Sequence, residues 1–351
     1  MELHPKFRLN GTAYSTKNLL TVAQTWSKEA DAEQKKLGAF LLDWLSDRPT
    51  IQVQTSGSTG TPKTMEMPKA AMRASAERTA AFFSLSPGDT ALLCLPLDYI
   101  AGKMMLVRAM VLGLSLDMIP PKTKLSLGTK TYDFGALIPL QAQHNLEQLH
   151  QIKTLLIGGA PINTSLRKEL ATIHNNCVET YGMTETLTHV ATRPVTYPAT
   201  SFKVMPDVRC DVDDENCLTL MVPYISNDIM RTNDVVELID KTSFRLLGRR
   251  DFVINSGGKK IYPEQLEETL AEVLDGPFFF CGFPDETLGE KLVLLVEADT
   301  TEKARIQQLV TKVFEADKHH IPKAVFCLET FVYTPSGKLD RKGTKAVVKG
   351  S

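Results

Sequence analysis

Residues 154–185 read TLLIGGAPINTSLRKELATIHNNCVETYGMTE. Thr154–Ile157 is a short apolar run of the buried-strand kind, and Gly158-Gly159-Ala160-Pro161 is a turn. Thr164–His174 reads as a helix opened by Asn163 or Thr164, and Cys177–Tyr181 reads as a second strand. Working outward, the same alternation continues. Upstream come a helix over Leu146–Ile152, a strand over Leu114–Ile119, a helix from about Gly102 to Leu112 and a strand over Thr90–Leu95. Before these, Pro68 is a good first helical residue for a face traced by Met72, Ala76, Ala80 and Phe83. Ile51–Gln54 alternates like a short strand, and residues 17–47 space their apolar side chains as one or two amphipathic helices. Strands alternating with helices predict an α/β fold, its sheet covered by helices on both faces.

After Tyr181 the pattern changes to short strands and turns through Leu247. From Gly248 a hairpin-like segment leads to a helix (Pro263–Val273), strands (Pro277–Gly282 and Lys291–Ala298), a helix (Glu302–Phe314) and a strand (Ala324–Leu328). These residues are enough for a small α+β core of their own. A large N-terminal domain over 1–248 and a small C-terminal domain over 249–351 are therefore expected, which agrees with about 100–200 residues per domain for a 351-residue chain.

Composition narrows the function classes. Forty Lys+Arg against 41 Asp+Glu leave a formal charge of −1, so nothing electrostatic favours a nucleic-acid or membrane-surface partner. The longest apolar stretch, Met104–Ile119, is interrupted by Arg108 and Asp117 and is too short for a membrane span. The first residues have neither a basic nor an apolar leader region. Six cysteines without C-x-x-C spacing read as reduced core thiols. A cytoplasmic protein is expected, with a homodimer as the base-rate expectation.

The strongest chemical signal is Thr55-Ser56-Gly57-Ser58-Thr59-Gly60-Thr61-Pro62-Lys63. Glycines let backbone N–H groups close on an anion, hydroxyls add donors, and Lys63 adds a charge suited to phosphate. The run nearly matches a Walker A loop, but Pro62 stands where the second glycine belongs, and proline has no N–H and a fixed φ. A Walker fold is a poor fit. The segment instead resembles the phosphate loop of the adenylate-forming superfamily of acyl-CoA synthetases, adenylation domains and luciferases.

Other segments match that superfamily in the same order along the chain. Gly158-Gly159-Ala160-Pro161 resembles its adenine-contacting turn, although a plain strand-to-helix turn explains these residues nearly as well. Tyr181-Gly182-Met183-Thr184-Glu185 is more specific. The resemblance implies that Tyr181 and Gly182 border adenine and acyl group, Thr184 binds phosphate and Glu185 helps hold magnesium. A carboxylate next to a hydroxyl can bridge a hard cation to phosphate. Arg231-Thr232-Asn233-Asp234 resembles the segment whose Asp binds the ribose hydroxyls, with Asn233 in place of the usual glycine. Gly248-Arg249-Arg250-Asp251 resembles the domain hinge: Arg249 would contact ribose or phosphate and Asp251 would be the pivot, with Phe252 where a second Asp is frequent. Asn255–Pro263 resembles the loop facing the thiol tunnel, with Gly257 and Gly258 in it. Pro335–Arg341 resembles the turn carrying the adenylating lysine, here Lys338.

The resemblance implies ATP, Mg2+ and coenzyme A as cofactors or co-substrates of a small carboxylic acid. Adenylation releases pyrophosphate, and the small domain then turns about the hinge to admit the thiol. The short stretch ahead of Thr55, with YGMTETLTHVA, resembles the 2-succinylbenzoate–CoA ligases of menaquinone biosynthesis. Pro96–Gly102 resembles a P-L-x-H-x-x-G segment with Tyr99 in the histidine's place. Tyr99, Lys103, Thr188 and His189 are the candidates for a polar, anion-tolerant acid pocket. Alternatives are a ligase for another aryl or short-chain acid, an adenylation domain loading a carrier protein, or a nucleotide sensor that has lost catalysis. Retention of Lys338, Glu185 and the phosphate loop disfavours the sensor.

Overall fold

The computed structural model describes residues 2–54, 64–174, 176–333 and 339–349. By internal contacts the chain falls into two units. One comprises residues 1–162, 166–210 and 220–230; the other comprises 163–165, 211–219 and 231–351. The expected boundary at 248/249 lies inside the second unit.

In the first unit, Cys177–Gly182, Ile152–Ile157, Tyr132–Leu137, Thr90–Leu93 and Ser115–Met118 lie side by side as parallel strands. Arg8–Leu9 continues the parallel run and Thr12–Ala13 ends it antiparallel. On the other side, His189–Pro194 and Phe202–Val204 add antiparallel strands. The α/β reading therefore holds, and because successive side chains point to opposite faces, the apolar residues of the central strands feed a core on each side of the sheet. Ala91 and Leu93 pack with Leu19, Leu41, Trp44, Met72, Ala76 and Met104 from one set of helices. Leu92 turns the other way, with Leu155 and Ile157, against Ala142, Leu166 and Leu170.

Three local differences have physical reasons. The strand Tyr132–Leu137, TyrAspPheGlyAlaLeu, has no apolar run to announce it because Asp133 and Gly135 interrupt the pattern. At Gly135 a Cβ would come 3.0 Å from the Ile152 side chain, so a larger residue would have to push that side chain aside. Pro68 is an extended cap and not the first helical residue, because it still pairs with Thr50 at the end of the Thr64–Pro68 strand. The helix proper is Lys69–Phe83. The helix expected over Leu146–Ile152 is a 3-10 helix over Leu146–Gln151, and Ile152 begins the next strand.

In the second unit residues 234–240, the end of the strand Ser226–Asp240, pair antiparallel with Ser243–Arg249, setting Asp234 opposite Arg249. A separate sheet follows from Ile254–Ser256, Lys259–Ile261, Gly289–Glu297, Phe278–Asp285 and Ala324–Leu328. One face of it packs Phe280, Leu292, Leu294 and Val325 against the helices Pro263–Leu270 and Lys303–Val313. Among the described residues no helix is long and apolar enough to cross a membrane. The six cysteines form no disulfide among the described residues, and burial pushes the Cys94 and Cys177 thiols up to about 12, as inert core thiols require.

Candidate active site

The two glycine-bearing motifs of the first unit sit at the carboxyl ends of neighbouring parallel strands, where open α/β sheets bind ligands. Gly158 follows Ile152–Ile157, and its N–H donates to Leu137 O at 3.1 Å. A Cβ on Gly158 would lie 2.3 Å from Thr180 Oγ1, so only glycine lets the turn press against Cys177–Gly182. Thr180 Oγ1 in turn donates to Ile157 O at 3.2 Å. Gly159, Ala160 and Pro161 are left exposed on that turn.

Gly182 is constrained harder still. A Cβ there would sit 2.2 Å from Thr188 O, which is backbone and cannot swing aside. Beyond Gly182, Thr184–Thr186 forms a 3-10 turn. Met183 N–H donates to Thr186 Oγ1 at 2.9 Å, and that hydroxyl lies 2.8 Å from Thr188 O. Leu187 is buried with φ +64°, a left-handed conformation that branched or bulky residues adopt only when their surroundings enforce it. The turn leaves Thr184 and Glu185 half-buried side by side. Before it, the Tyr181 ring packs on Phe202 at 5.9 Å, and the Arg193 guanidinium lies 4.2 Å over the other ring.

Among the described residues no group of three or more His, Cys, Asp or Glu side chains could cage a metal ion. Glu185 beside Thr184 is a one-carboxylate, one-hydroxyl donor pair. Magnesium is held in that way when substrate phosphates and water complete its shell, so these residues fit a nucleotide-borne Mg2+.

The acid-pocket candidates separate. Tyr99 caps the helix Ile100–Leu112. Lys103 donates from Nζ to Gln52 O at 3.3 Å, and burial lowers its pKa against the opposing pull of Asp98 and Asp43. Thr188 shares a hydrogen bond with Ser75 at 3.1 Å. His189 is 8% exposed with its ring 5.8 Å from Phe83. Burial, helped by the Arg108 charge, holds its pKa down to about 3, so the imidazole is neutral at pH 7.

Arg108 is the residue that the sequence reading passed over. It is 4% exposed in the middle of the apolar helix Ile100–Leu112. Its Nη1 donates to Met105 Sδ at 3.4 Å, a weak acceptor, and its Nε has no partner among the described residues. Among the described residues no carboxylate offsets its charge, and burial pushes its pKa down to about 10, with Tyr224 the opposing influence. His189 Nε2, beside it, likewise has no partner among the described residues. A buried cation with no counter-ion is costly unless an anion arrives. The signal in the sequence is a lone arginine inside a run of Met, Leu, Val and Ala.

In the second unit, Arg249 joins the ribose and hinge candidates. Its Nη1 donates to Asp234 at 3.1 Å and its Nη2 to Asp251 at 3.2 Å. Asn233, where a glycine is usual, accepts from Arg250 Nη2 at 2.8 Å and lies 3.5 Å from Asp251. Glu264 accepts the Arg249 backbone N–H at 3.2 Å, and burial raises its pKa. Gly257 and Gly258 form a turn with φ +57° and +81°, both in the left-handed region, between Ile254–Ser256 and Lys259–Ile261. Arg341, three residues after Lys338, donates to both oxygens of Glu267 at 2.9 and 2.6 Å. Lys338 and the loop Thr55, Ser56, Gly57, Ser58, Thr59, Gly60, Lys63 lie outside the described residues.

Residues 16–223 match the family model described as AMP-binding enzyme, which is more than half of the chain. The chain belongs to the AMP-binding enzymes. Among members of that family, an acyl-CoA synthetase (AMP-forming)/AMP-acid ligase II-like protein from Dyadobacter fermentans is 32% identical, with 93% of this chain and 98% of that one covered and a TM-score of 0.61. A 2-succinylbenzoate–CoA ligase from Listeria monocytogenes is 24% identical, over 92% of this chain and 74% of its own length. An o-succinylbenzoate coenzyme A synthetase from Bacillus subtilis, solved with ATP and magnesium, shares the fold: its TM-score is 0.71 at 20% identity, over 84% of this chain and 69% of that one. This AMP-binding enzyme is, by class, an AMP-forming acid–CoA ligase of the adenylate-forming superfamily.

Proposed function

We propose that the acid activated is 2-succinylbenzoate, converted with ATP and coenzyme A into 2-succinylbenzoyl-CoA, AMP and pyrophosphate, a step of menaquinone biosynthesis. The observation that carries this reading is Arg108, a buried guanidinium without a carboxylate partner among the described residues. It neighbours neutral His189, itself next to Thr188, which is hydrogen-bonded to Ser75. An acid with one carboxylate spends it on adenylation. A second carboxylate supplies the counter-ion that Arg108 lacks, with His189 and Thr188 as hydrogen-bonding neighbours. Relatives such as the Listeria monocytogenes enzyme carry the name of that di-acid's ligase.

In the first step, a carboxylate oxygen attacks the α-phosphorus of ATP and pyrophosphate leaves. Anion meets anion, so position and electrostatics set the barrier. Lys338 neutralises charge between the carboxylate and the α-phosphate, and the 55–63 loop cradles the departing phosphates. Thr184 binds phosphate, Asp234 holds the ribose hydroxyls, and the turn at Gly159, Ala160 and Pro161 borders adenine with Tyr181 and Gly182. Magnesium, held through Glu185, supplies charge stabilisation on the phosphates when bound. In the second step the thiol of coenzyme A attacks the acyl carbonyl and AMP leaves. Between the two steps the C-terminal part that carries Lys338 turns about Asp251, with Arg249 beside the pivot, so that the lysine leaves and Gly257 and Gly258 face the thiol.

The test is pyrophosphate release, as kcat/KM, for 2-succinylbenzoate against benzoate and 4-phenylbutyrate, with and without coenzyme A. A site built for a second carboxylate prefers the di-acid by well over the ~1–3 kcal/mol that a methylene is worth. Equal values for benzoate and the di-acid would replace this reading with a general aryl-CoA ligase.

A further inference from the structure

Neighbouring strands of the first unit bring a charged cluster up to Tyr181. In Cys177–Gly182, Glu179 and Tyr181 alternate with Thr180 and so share a face of the sheet. Arg193, in His189–Pro194, stands directly opposite Glu179, and Phe202 opens the strand Phe202–Val204 beyond it. Arg167 reaches the same group from the helix Thr164–Ile173. A single oxygen, Glu179 Oε2, accepts from Arg167 Nη2 at 2.5 Å and from Arg193 Nε at 2.6 Å. Arg167 and Glu179 are buried and Arg193 is half-buried.

Arg193 also donates from Nη1 to Thr200 O at 2.9 Å. Bonds from two of its nitrogens to different partners fix the plane of its guanidinium, which lies 4.2 Å from the centre of the Phe202 ring. Phe202 is buried and meets the Tyr181 ring at 5.9 Å, tilted by 58°. Contacts therefore run unbroken from Arg167 through Glu179, Arg193 and Phe202 to Tyr181, whose own side chain is half-buried. Stability does not call for such a chain of charges. Two cations share one carboxylate, and Arg167 Nε and Nη1 are buried without a partner among the described residues. Apolar side chains of similar volume are often as stable or more stable in such a place. What the ion cluster supplies is direction, since a guanidinium held at two nitrogens has one orientation, whereas a flexible apolar chain has several.

We propose that Glu179 and Arg193 are positioning residues for the nucleotide: anchored by Arg167, they hold Phe202 and through it set the tilt of the Tyr181 ring against adenine. The proposal rests on the reading of Tyr181 as a residue that borders adenine. Contact between aromatic rings depends on their offset and tilt, so a Tyr181 ring that loses its support gives up part of its hold on the base. Neither positioning residue touches the reacting atoms. Their loss weakens nucleotide binding equally in ground and transition states, which raises KM for ATP and leaves kcat in place.

The experiment combines pyrophosphate release by the full-length enzyme with calorimetric titration of AMP. Arg193→Met is the mild variant, because Glu179 keeps Arg167 as its partner and no buried carboxylate is orphaned. It should raise KM for ATP and Kd for AMP about three- to tenfold, the worth of an aromatic contact. Values of kcat and of KM for the acid should stay within about twofold of wild type. The triple variant Arg167→Met/Glu179→Leu/Arg193→Met removes every charge of the cluster together. Its Tm should equal or exceed that of wild type while AMP affinity falls as in Arg193→Met, a combination that a merely structural cluster does not produce. In a Tyr181→Leu background Arg193→Met should have no further effect on AMP, because Arg193 acts through that ring. Wild-type AMP affinity in Arg193→Met, a fall in kcat and a rise in the acid's KM alongside that for ATP, or full additivity with Tyr181→Leu would each overturn the proposal. A Tyr181→Leu enzyme that binds AMP as wild type does overturns the adenine reading itself, and the proposal with it. Weakened binding by Tyr181→Leu beside unchanged binding by Arg193→Met overturns the proposal alone.

Discussion

Replacing Arg108 by methionine separates a structural arginine from one that waits for a substrate. Its pKa falls from the ordinary 12.5 to about 10 through burial. At ~1.4 kcal/mol per pH unit, that fall means the charged form is disfavoured by roughly 3 kcal/mol in the free protein. Methionine keeps much of the stem, fills the site beside Met105 and removes the charge. Arg108→Met should therefore stabilise the free enzyme by about 2–3 kcal/mol, within the range found when buried ions become apolar. A rise in Tm on the order of 5 °C follows. The same change leaves the second carboxylate of a bound di-acid buried and unpaired, at about 3–5 kcal/mol. The value of kcat/KM for 2-succinylbenzoate should fall ~10²- to 10³-fold, while benzoate should change by less than about threefold. Arg108→Lys, with the charge but without the planar fork, should lie between. Thermal unfolding and pyrophosphate release measure the two halves. A methionine variant that is less stable than wild type and loses both acids equally would refute the reasoning, because Arg108 would then be holding the helix in place.

Three further outcomes are expected. Lys338→Ala should abolish adenylation yet spare thioester formation from supplied acyl-adenylate, and equal loss of both half-reactions would assign the lysine a structural role. Glu185→Gln, which keeps shape and removes charge, should raise the magnesium requirement and slow adenylation by ~10²-fold or more; an unchanged magnesium titration would place it outside the metal site. His189 concerns stability. Its folded pKa of about 3 lies below the unfolded 6.5, so between these values the unfolded chain binds the extra proton and stability falls as pH drops. Relative to His189→Asn, the wild type should lose about 2 kcal/mol between pH 7 and pH 5, measured by urea unfolding; parallel curves for the two proteins would contradict this.

Much of the frame was legible from local pattern. Residues 154–185 announced strand, turn, helix and strand, because the short apolar run Thr154–Ile157, the Gly-Gly-Ala-Pro turn and the helical spacing after Asn163 are all local signals. The motifs YGMTE and GGAP were legible because glycine at 158 and 182 is demanded by contacts of 2.3 and 2.2 Å, a requirement that leaves no choice of residue. The strand Tyr132–Leu137 was not legible, since its Asp and Gly belong to cross-strand packing that no local period encodes. The sequence by itself therefore determined the fold class, the family and the order of the motifs. Tertiary structure decided which side chains meet. Lys103 and Arg108 lie five residues apart on the same helix, yet Lys103 reaches a backbone carbonyl at Gln52, whereas Arg108 is buried beside His189 without a carboxylate among the described residues. Likewise Phe283, Lys291 and Phe326 become neighbours only through strand register. Burial and charge balance are sums over distant parts of the chain, and a sequence period carries only what happens within a few residues.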